Sequence, residues 1–271
     1  MTVRMRVSKP SVVAAVRHPI GWASLLVLSL SLVATAQLTD GVLENGDLAS
    51  VDPAVANAVP ALRTPVLTVV ARVLDVTGGT AVVATLAMLW AAMLWFRGRD
   101  RPAAIWLAGS MGLASVLILA GKHLVGRVRP GIDLVLGPVD TSPAFPSGHT
   151  LGTTVFLGLV AAYVGIRART TLARAIAVAG WVLGSALMAA SRVYLGYHWL
   201  SDVLAGIAIG TGVLSIAVLV AHLAIHGRRT VVTQVAPSER RHPGHPESGG
   251  GHHDGAHRED ARTWITLDDQ Q

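Results

Sequence analysis

The chain has 271 residues, of which 52% are apolar and only 14% are charged. Soluble proteins carry about 25% charged residues, so this composition indicates a protein that lies largely within a membrane. Because the sequence contains no cysteine, disulfides, thiolate nucleophiles and cysteine-ligated metal sites are excluded. The formal net charge is +6, but the arginines are dispersed among short loops and termini. That distribution favours anchoring at a membrane surface and disfavours a nucleic-acid partner.

Six apolar segments are long enough to cross a bilayer as helices, at about 20 residues per span. They cover residues 21–37, 80–96, 103–121, 149–166, 172–190 and 203–224. The sequence therefore predicts an all-α, polytopic membrane protein in which residues 21–225 form a six-helix bundle. Ala34-Thr35-Ala36 resembles a signal-peptidase site, but the first apolar segment is long for a signal peptide. We therefore expect the first span to be retained.

Three segments flank or interrupt the bundle. Residues 1–20 are expected to form a cytoplasmic N-terminus, and the His-rich residues 226–271 a disordered cytoplasmic tail. The tail histidines could bind metal weakly, but a solvated tail is the simpler interpretation. Residues 38–79 are expected to connect the first two spans outside the cytoplasm, with a partly helical stretch at 53–76 along the interface. That stretch either helps to admit a lipid or serves only as a packed connector.

Loop charges predict the orientation of the bundle. Cations precede the first span, fill the turns between spans two and three and between spans four and five, and follow the sixth span. The four groups are Arg4, Arg6, Lys9 and Arg17; Arg97, Arg99 and Arg101; Arg167, Arg169 and Arg174; and Arg228 and Arg229. All four fall on one face, which the positive-inside rule makes cytoplasmic. Both termini are then cytoplasmic in a plasma-membrane protein.

The opposite face receives three short polar motifs at the ends of spans. Lys122, Arg129 and Arg192 supply three cations on the side where the positive-inside rule disfavours them. Each alone could be an interfacial anchor. Together they are better explained as donors to a phosphate, which needs fixed positive partners.

The other polar residues of these motifs can act on a bound phosphate. Pro146-Ser147-Gly148-His149 directly precedes span four, where free backbone N–H groups and the Ser147 hydroxyl could cradle an anion beside His149. His198 and Asp202 are four residues apart and share one helix face. Asp202 could accept the Nδ1–H of His198 and leave Nε2 free as a nucleophile. The alternative is a structural His–Asp pair that caps span six.

In combination, the motifs resemble those of the type 2 phosphatidic acid phosphatase (PAP2) superfamily, also called lipid phosphate phosphatases. The family pattern is Lys-x6-Arg-Pro, Pro-Ser-Gly-His and Ser-Arg-x5-His-x3-Asp. The chain matches it without departure, at Lys122 to Pro130, Pro146 to His149 and Ser191 to Asp202. The resemblance covers roughly residues 20–225 and implies the six-span fold of the PAP2 and haloperoxidase type.

The resemblance also implies residue roles. His198 would attack phosphorus and form a phosphohistidine, Asp202 would orient His198, and His149 would protonate the leaving oxygen and then help to activate water. The phosphoryl group would be bound by Lys122, Arg129, Ser147, the Gly148 backbone and Arg192. Family members need no metal or other cofactor. Vanadium haloperoxidases share the fold but are soluble and larger, so we do not expect their chemistry.

The expected substrate is a lipid phosphate at the outer face of the membrane. An undecaprenyl or other polyprenyl diphosphate is favoured by analogy, and phosphatidic acid or phosphatidylglycerol phosphate is possible. A lipid transporter or flippase would place charges midway along its spans, whereas here they cluster at one set of ends. A catalytically inactive lipid-binding relative would have lost a motif residue, and none is lost. The sequence does not indicate an oligomeric state.

Overall fold

The computed structural model describes residues 18–44 and 46–228. The N-terminal segment up to residue 17 and the His-rich tail from residue 229 lie outside the described residues, so the expectations for them are untested. Within the described ranges the chain is all-helical. These ranges contain eight α-helices: α1 Pro19–Glu44, α2 Asp52–Ala58, α3 Pro65–Thr77, α4 Thr80–Phe96, α5 Arg101–Val125, α6 Gly148–Arg167, α7 Thr171–Tyr194 and α8 Leu200–Arg228. Short 3-10 helices lie at Asp47–Val51, Val59–Leu62 and Ile132–Leu134.

The predicted membrane spans are found as helices. In the described part of the chain, α1, α5, α6, α7 and α8 are long and apolar enough to cross a membrane. The helices α3 and α4 satisfy the same test together, as a pair bent by 48°. Large apolar side chains cover the outside of the bundle, as expected where lipid replaces water. The protein is therefore a multi-pass membrane protein, and its described residues contain five or six spans.

Two boundaries differ from the prediction in the 38–79 segment. The first helix continues to Glu44, because Leu38 and Val42 are buried in a cluster with Phe145 and Ala205 rather than exposed in a loop. Residues 65–77 form the regular helix α3, which Thr64 caps by accepting from the N–H of Leu67. What was expected as a partly helical connector therefore includes a helix that continues into α4 through a bend.

The core of the bundle is centred on α6, which packs against α5, α7 and α8. Leu151, Val155 and Leu159 of α6 are fully buried in one cluster with residues of α5 and α8. Glycines bring α8 close to α6: a Cβ at Gly206 would lie 3.0 Å from the Ser147 carbonyl oxygen. The tight α6–α8 contact fixes the start of α6 against the start of α8, where two of the three motifs lie.

Candidate active site

The three motifs converge at one end of the bundle. Lys122 lies in the last turn of α5, which ends at Gly126 in the left-handed conformation with φ +61°. Arg192 lies in the last turn of α7, and Asp202 lies in the first turn of α8. Gly196 has φ +77°, and a Cβ there would overlap the Leu134 carbonyl. This glycine lets the 195–199 turn fold tightly between α7 and α8 and carry His198 inward.

His198 and Asp202 lie side by side at the centre of this end and are almost completely buried. The distance from His198 Nδ1 to Asp202 Oδ2 is 3.5 Å, which is longer than a hydrogen bond. Nδ1 has no hydrogen-bond partner in the structure. The two side chains are adjacent as predicted, but His198 lies in the turn before α8 and not on the helix face of Asp202, and the predicted Nδ1–H bond to Asp202 is not formed. Asp202 Oδ2 instead accepts from the backbone N–H of Trp199 at 3.0 Å.

The environment of His198 favours the neutral imidazole. Burial lowers the pKa of His198 to about 4, and the charges of Arg192 and Arg129 act in the same direction, while Asp202 opposes them. The Nε2 atom lies 3.4 Å from Nη1 of Arg129. At neutral pH the imidazole is therefore uncharged, with a guanidinium beside the ring nitrogen that faces away from Asp202.

Lys122 and Arg129 meet at Ser142 in the loop between α5 and α6. The Lys122 ammonium donates to the Ser142 hydroxyl at 3.2 Å and also to the Pro143 carbonyl. Arg129 donates to the Ser142 carbonyl at 2.8 Å and to the Asp140 carboxylate at 2.6 Å. Burial lowers the pKa of Arg129. The pKa of Asp140 is lowered. Burial acts to raise this pKa, but hydrogen bonds from Ser142 and the charge of Arg129 lower it by more.

The Ser147–His149 segment forms the start of α6. Ser147 is fully buried; its backbone N–H donates to the Asp202 carbonyl at 3.1 Å, and its hydroxyl accepts from Thr150 at 3.1 Å. The Ser147 N–H is therefore used to join α6 to α8 and does not serve an anion in this structure. Gly148 and His149 follow as the first residues of the helix, where backbone N–H groups have no intrahelical acceptor.

The sequence did not single out Asp75, which enters the site from α3. Its Oδ1 atom contacts the guanidinium of Arg192 and lies 3.5 Å from His149 Nε2. Arg192 is itself buried, with its guanidinium 4.3 Å from the Tyr197 ring centroid. One carboxylate thus joins an expected phosphate-binding cation to the expected general acid. The only sequence signal was an acidic residue in an otherwise apolar stretch on the motif face.

A second contribution that the sequence did not reveal comes from Asp52 and Arg127. Arg127 donates from Nη1 to Asp202 Oδ1 and from Nη2 to Asp52 Oδ2, both at 2.7 Å. Asp52 accepts from the Ser201 backbone N–H at 2.9 Å. Arg127 lies within the first motif at a position that the family pattern leaves unspecified, so no role was predicted for it.

A cavity of about 320 Å³ adjoins the site on the Arg129 side. Its wall combines the polar side chains of Arg129, Asp140 and Ser142 with the apolar side chains of Ile132 and Val139. No group of three or more His, Asp or Glu side chains within residues 18–44 and 46–228 has an arrangement that could hold a metal ion. The geometry provides a buried neutral imidazole, three surrounding cations and an adjoining space of mixed polarity.

Comparison with known proteins agrees with this geometry. Residues 103–225 match the sequence model of the PAP2 superfamily. The chain is 32% identical over 134 residues to the undecaprenyl-diphosphatase of Sulfolobus acidocaldarius, which covers 47% of this chain and 59% of that protein. It is 33% identical over 132 residues to the decaprenylphosphoryl-5-phosphoribose phosphatase of Mycobacterium tuberculosis, which covers 47% of this chain and 65% of that protein. The chain thus spans 59% and 65% of the length of these two relatives.

A solved structure has the same fold. It is the crystal structure of a transmembrane PAP2 type phosphatidylglycerolphosphate phosphatase from Bacillus subtilis, with a TM-score of 0.60 and 21% sequence identity. The similarity covers 72% of this chain and 93% of that one. The matched residues 103–225 contain all three motifs of the site. Residues 103–225 thus resemble the PAP2 superfamily in sequence, and the chain shares the fold of a PAP2 type phosphatase.

Proposed function

We propose that the protein is a membrane lipid phosphatase that hydrolyses a phosphomonoester or diphosphate head group through a phosphohistidine intermediate. The observation that carries this proposal is the position of His198. Its buried, neutral imidazole lies beside Arg129 and within the charge field of Arg192. A nucleophile needs its lone pair, and the phosphate that it attacks needs cations. The site combines both at one ring nitrogen.

The proposed reaction has two steps. In the first, Nε2 of His198 forms a bond to the terminal phosphorus while the bond from that phosphorus to the leaving oxygen breaks, and protonated His149 gives its proton to that oxygen. The leaving oxygen is the ester oxygen of a phosphomonoester or the bridging oxygen of a diphosphate. In the second, His149 takes a proton from water as the water oxygen attacks phosphorus, and the P–N bond breaks. Inorganic phosphate leaves and His198 is regenerated. Lys122, Arg129, Arg192, Ser147 and the Gly148 backbone bind the phosphoryl oxygens throughout.

The positions of Arg129, Arg192, His149 and Asp202 support this reaction. Arg129 is within 3.4 Å of the attacking nitrogen. Arg192 and His149 are joined through the same Asp75 oxygen, so both can contact one ligand oxygen that replaces it. Asp202 supports His198 from the side opposite to the cations. None of these steps requires a metal or another cofactor.

The favoured substrate class is a polyprenyl diphosphate, with undecaprenyl diphosphate as the leading candidate; phosphatidic acid and phosphatidylglycerol phosphate are alternatives. Both curated relatives carry names that refer to polyprenyl phosphates. The position of the site supports a lipid, because its residues lie at the end of spans whose outer surfaces are apolar. A lipid can therefore keep its chain against the bundle while its head group reaches His198.

We further propose that residues 21–225 form the phosphatase domain in the plasma membrane, with the site on the extracytoplasmic side and both termini in the cytoplasm. The arginine-rich turns between α4 and α5 and between α6 and α7 support this orientation. These turns lie at one end of the bundle, and the helix ends that carry Lys122 and Asp202 lie at the other end. The segment 46–62 then lies outside the cytoplasm, where it contacts the site through Asp52.

The test is phosphate release from a panel of lipid phosphates in detergent containing EDTA. We expect release by the wild type and a loss of at least about 1000-fold for His198→Ala and His149→Ala. His123→Ala removes an exposed histidine in the last turn of α5 and serves as the matched control with near wild-type release. Release that survives His198→Ala would contradict the nucleophile assignment, and release abolished by EDTA would contradict the metal-independent mechanism.

A further inference from the structure

A buried network lies behind His198, and the proposed reaction uses only its Asp202. Arg127 bridges two carboxylates, Asp52 and Asp202, with 2.7 Å contacts to each. Asp52 and Asp202 are almost completely buried, whereas the Arg127 side chain is 15% exposed. Each member comes from a different element: the start of α2, the loop after α5 and the start of α8. Burying charged side chains costs desolvation free energy, so stability alone does not explain why these three charged groups are buried together.

Ser201 closes the network into a ring. Its hydroxyl accepts from Arg127 at 2.6 Å and donates to the Asp52 carboxylate, while its backbone N–H donates to the other Asp52 oxygen at 2.9 Å. Asp52 therefore also satisfies an N–H at the start of α8, where intrahelical acceptors are missing. In this arrangement Asp202 accepts from Arg127 with Oδ1 and turns Oδ2 towards His198.

We propose that Asp52 and Arg127 are positioning residues for the nucleophile. Arg127 holds Asp202 against His198, and Asp52 sets the net charge of the three side chains Asp52, Arg127 and Asp202, which together form the support of His198. The two carboxylates and one guanidinium carry a formal net charge of −1. The imidazole of His198 becomes cationic when Nε2 bonds to phosphorus, and a net negative support stabilises that cation. Without Asp52, Arg127 would cancel the charge of Asp202 and leave the phosphohistidine without compensation. This inference rests on the proposed function.

Other charged groups near His198 are unchanged in the test variants. Arg129 from the loop after α5 and Arg192 from α7 act directly on His198. Lys122 of α5 interacts with Asp202, and Asp75 of α3 contacts both His149 of α6 and Arg192. A shift in the titration of His198 on substitution of Asp52 or Arg127 therefore reports the support and not a rearranged set of cations.

The support predicts different effects for its two members. Asp52→Asn keeps an oxygen that can accept from the Ser201 N–H but removes the charge. We expect its kcat to fall about tenfold with KM nearly unchanged, because the loss affects the phosphorylated state and not substrate binding. Arg127→Gln leaves two uncompensated carboxylates, so the acid limb of the kcat/KM profile should move to higher pH by about one unit.

The double variant Asp52→Asn/Arg127→Gln separates charge from structure. It restores the net charge of −1, so the acid limb should return towards that of the wild type. A purely structural network predicts the opposite, since removing both partners would do at least as much damage as removing one. Asp133→Asn and Arg72→Gln remove the same charges at exposed positions and serve as controls.

The experiment combines steady-state kinetics in detergent with a readout that does not need turnover. Histidine-selective ¹⁵N NMR follows the titration of His198, whose signal is identified by its loss in His198→Gln. We expect its midpoint to rise in Arg127→Gln and to return in the double variant. Equal titrations in all variants, or a kcat loss in Asp52→Asn no larger than in Asp133→Asn, would overturn the proposal. If Arg127→Gln does not fold, Asp52→Asn still decides. If the wild type releases no phosphate from any lipid, the proposed function fails, while the NMR titration still tests the support.

Discussion

Each of the three cations of the site is bound by another group of the protein in this structure. Arg192 is paired with Asp75, Arg129 with Asp140, and Lys122 with Ser142 and the Pro143 carbonyl. A phosphate that enters the site must therefore replace protein oxygens as well as water. Before the substrate arrives, these protein groups hold the cations in position. This lowers the entropic cost of ordering the cations when the substrate binds.

Asp75 is the carboxylate whose replacement matters most, because it contacts both Arg192 and His149. Asp75→Asn should bind anions more tightly, since the competing negative charge is gone while the side-chain shape is kept. We expect the inhibition constant of inorganic phosphate to fall by about threefold, a modest change because Asp75 is partly exposed. Competition kinetics with Asp133→Asn as control measures it. An unchanged or higher inhibition constant would show that Asp75 does not compete with phosphate.

The sequence predicted the residues of the motifs but not their supports. Lys122, Arg129, His149, Arg192, His198 and Asp202 were identified from the three motifs and their resemblance to the PAP2 pattern, and the structure brings all of them to one end of the bundle. Asp75, Asp52 and Arg127 were missed because their partners are distant in the chain. Asp75 and Arg192 are 117 residues apart, and Asp52 and Ser201 are 149 apart. Such pairs depend on how helices pack, which local patterns do not encode.

Among the elements, the bend between α3 and α4 differs most from expectation. The span at 80–96 was predicted with its observed limits, but Pro60, Arg63, Pro65, Arg72 and Asp75 made the preceding stretch look like an interfacial connector. In the structure α3 packs against α7, and its last turn carries Asp75 to the site. A Cβ at Gly79 would lie 3.8 Å from His149 Nε2, so the bend lies directly beside the expected general acid.

The contact between α6 and α8 depends on glycines that a larger side chain would disrupt. A Cβ at Gly210 would lie 2.9 Å from the Thr154 Cβ, whereas one at Gly180 on α7 would meet nothing within 4 Å. Gly210→Leu should therefore cost about 2 kcal/mol and lower the melting temperature by about 5 °C. Gly180→Leu should leave it unchanged. Thermal unfolding in detergent compares the two, and equal melting temperatures would contradict the packing described for α6 and α8.

At the scale of the whole molecule, the six predicted spans correspond to five spanning helices and one bent pair. Apolar length was sufficient to find them, because a bilayer imposes a minimum helix length. It was not sufficient to place the 38–79 segment, whose helices α2 and α3 pack on α8 and α7. That segment supplies Asp52 and Asp75, so a region that was expected to connect spans also completes the site.

The absence of cysteine allows a direct test of the proposed orientation. Asp133→Cys places a thiol in the exposed loop between α5 and α6, and Arg169→Cys places one in the exposed turn between α6 and α7. In intact cells, a membrane-impermeant maleimide should label the first and not the second. Both should react after the membrane is opened, which controls for accessibility. Labelling of Arg169→Cys alone in intact cells would reverse the orientation.

The central claim is that His198 carries the phosphoryl group during turnover. It is tested most directly by mixing excess enzyme with the lipid phosphate that is hydrolysed fastest, stopping the reaction in alkali and mapping phosphorylated peptides by mass spectrometry. Alkali preserves phosphohistidine. We predict phosphate on the peptide that contains His198 in the wild type and none in His198→Gln. A phosphoryl group on another residue, or continued phosphate release by His198→Gln, would contradict the account.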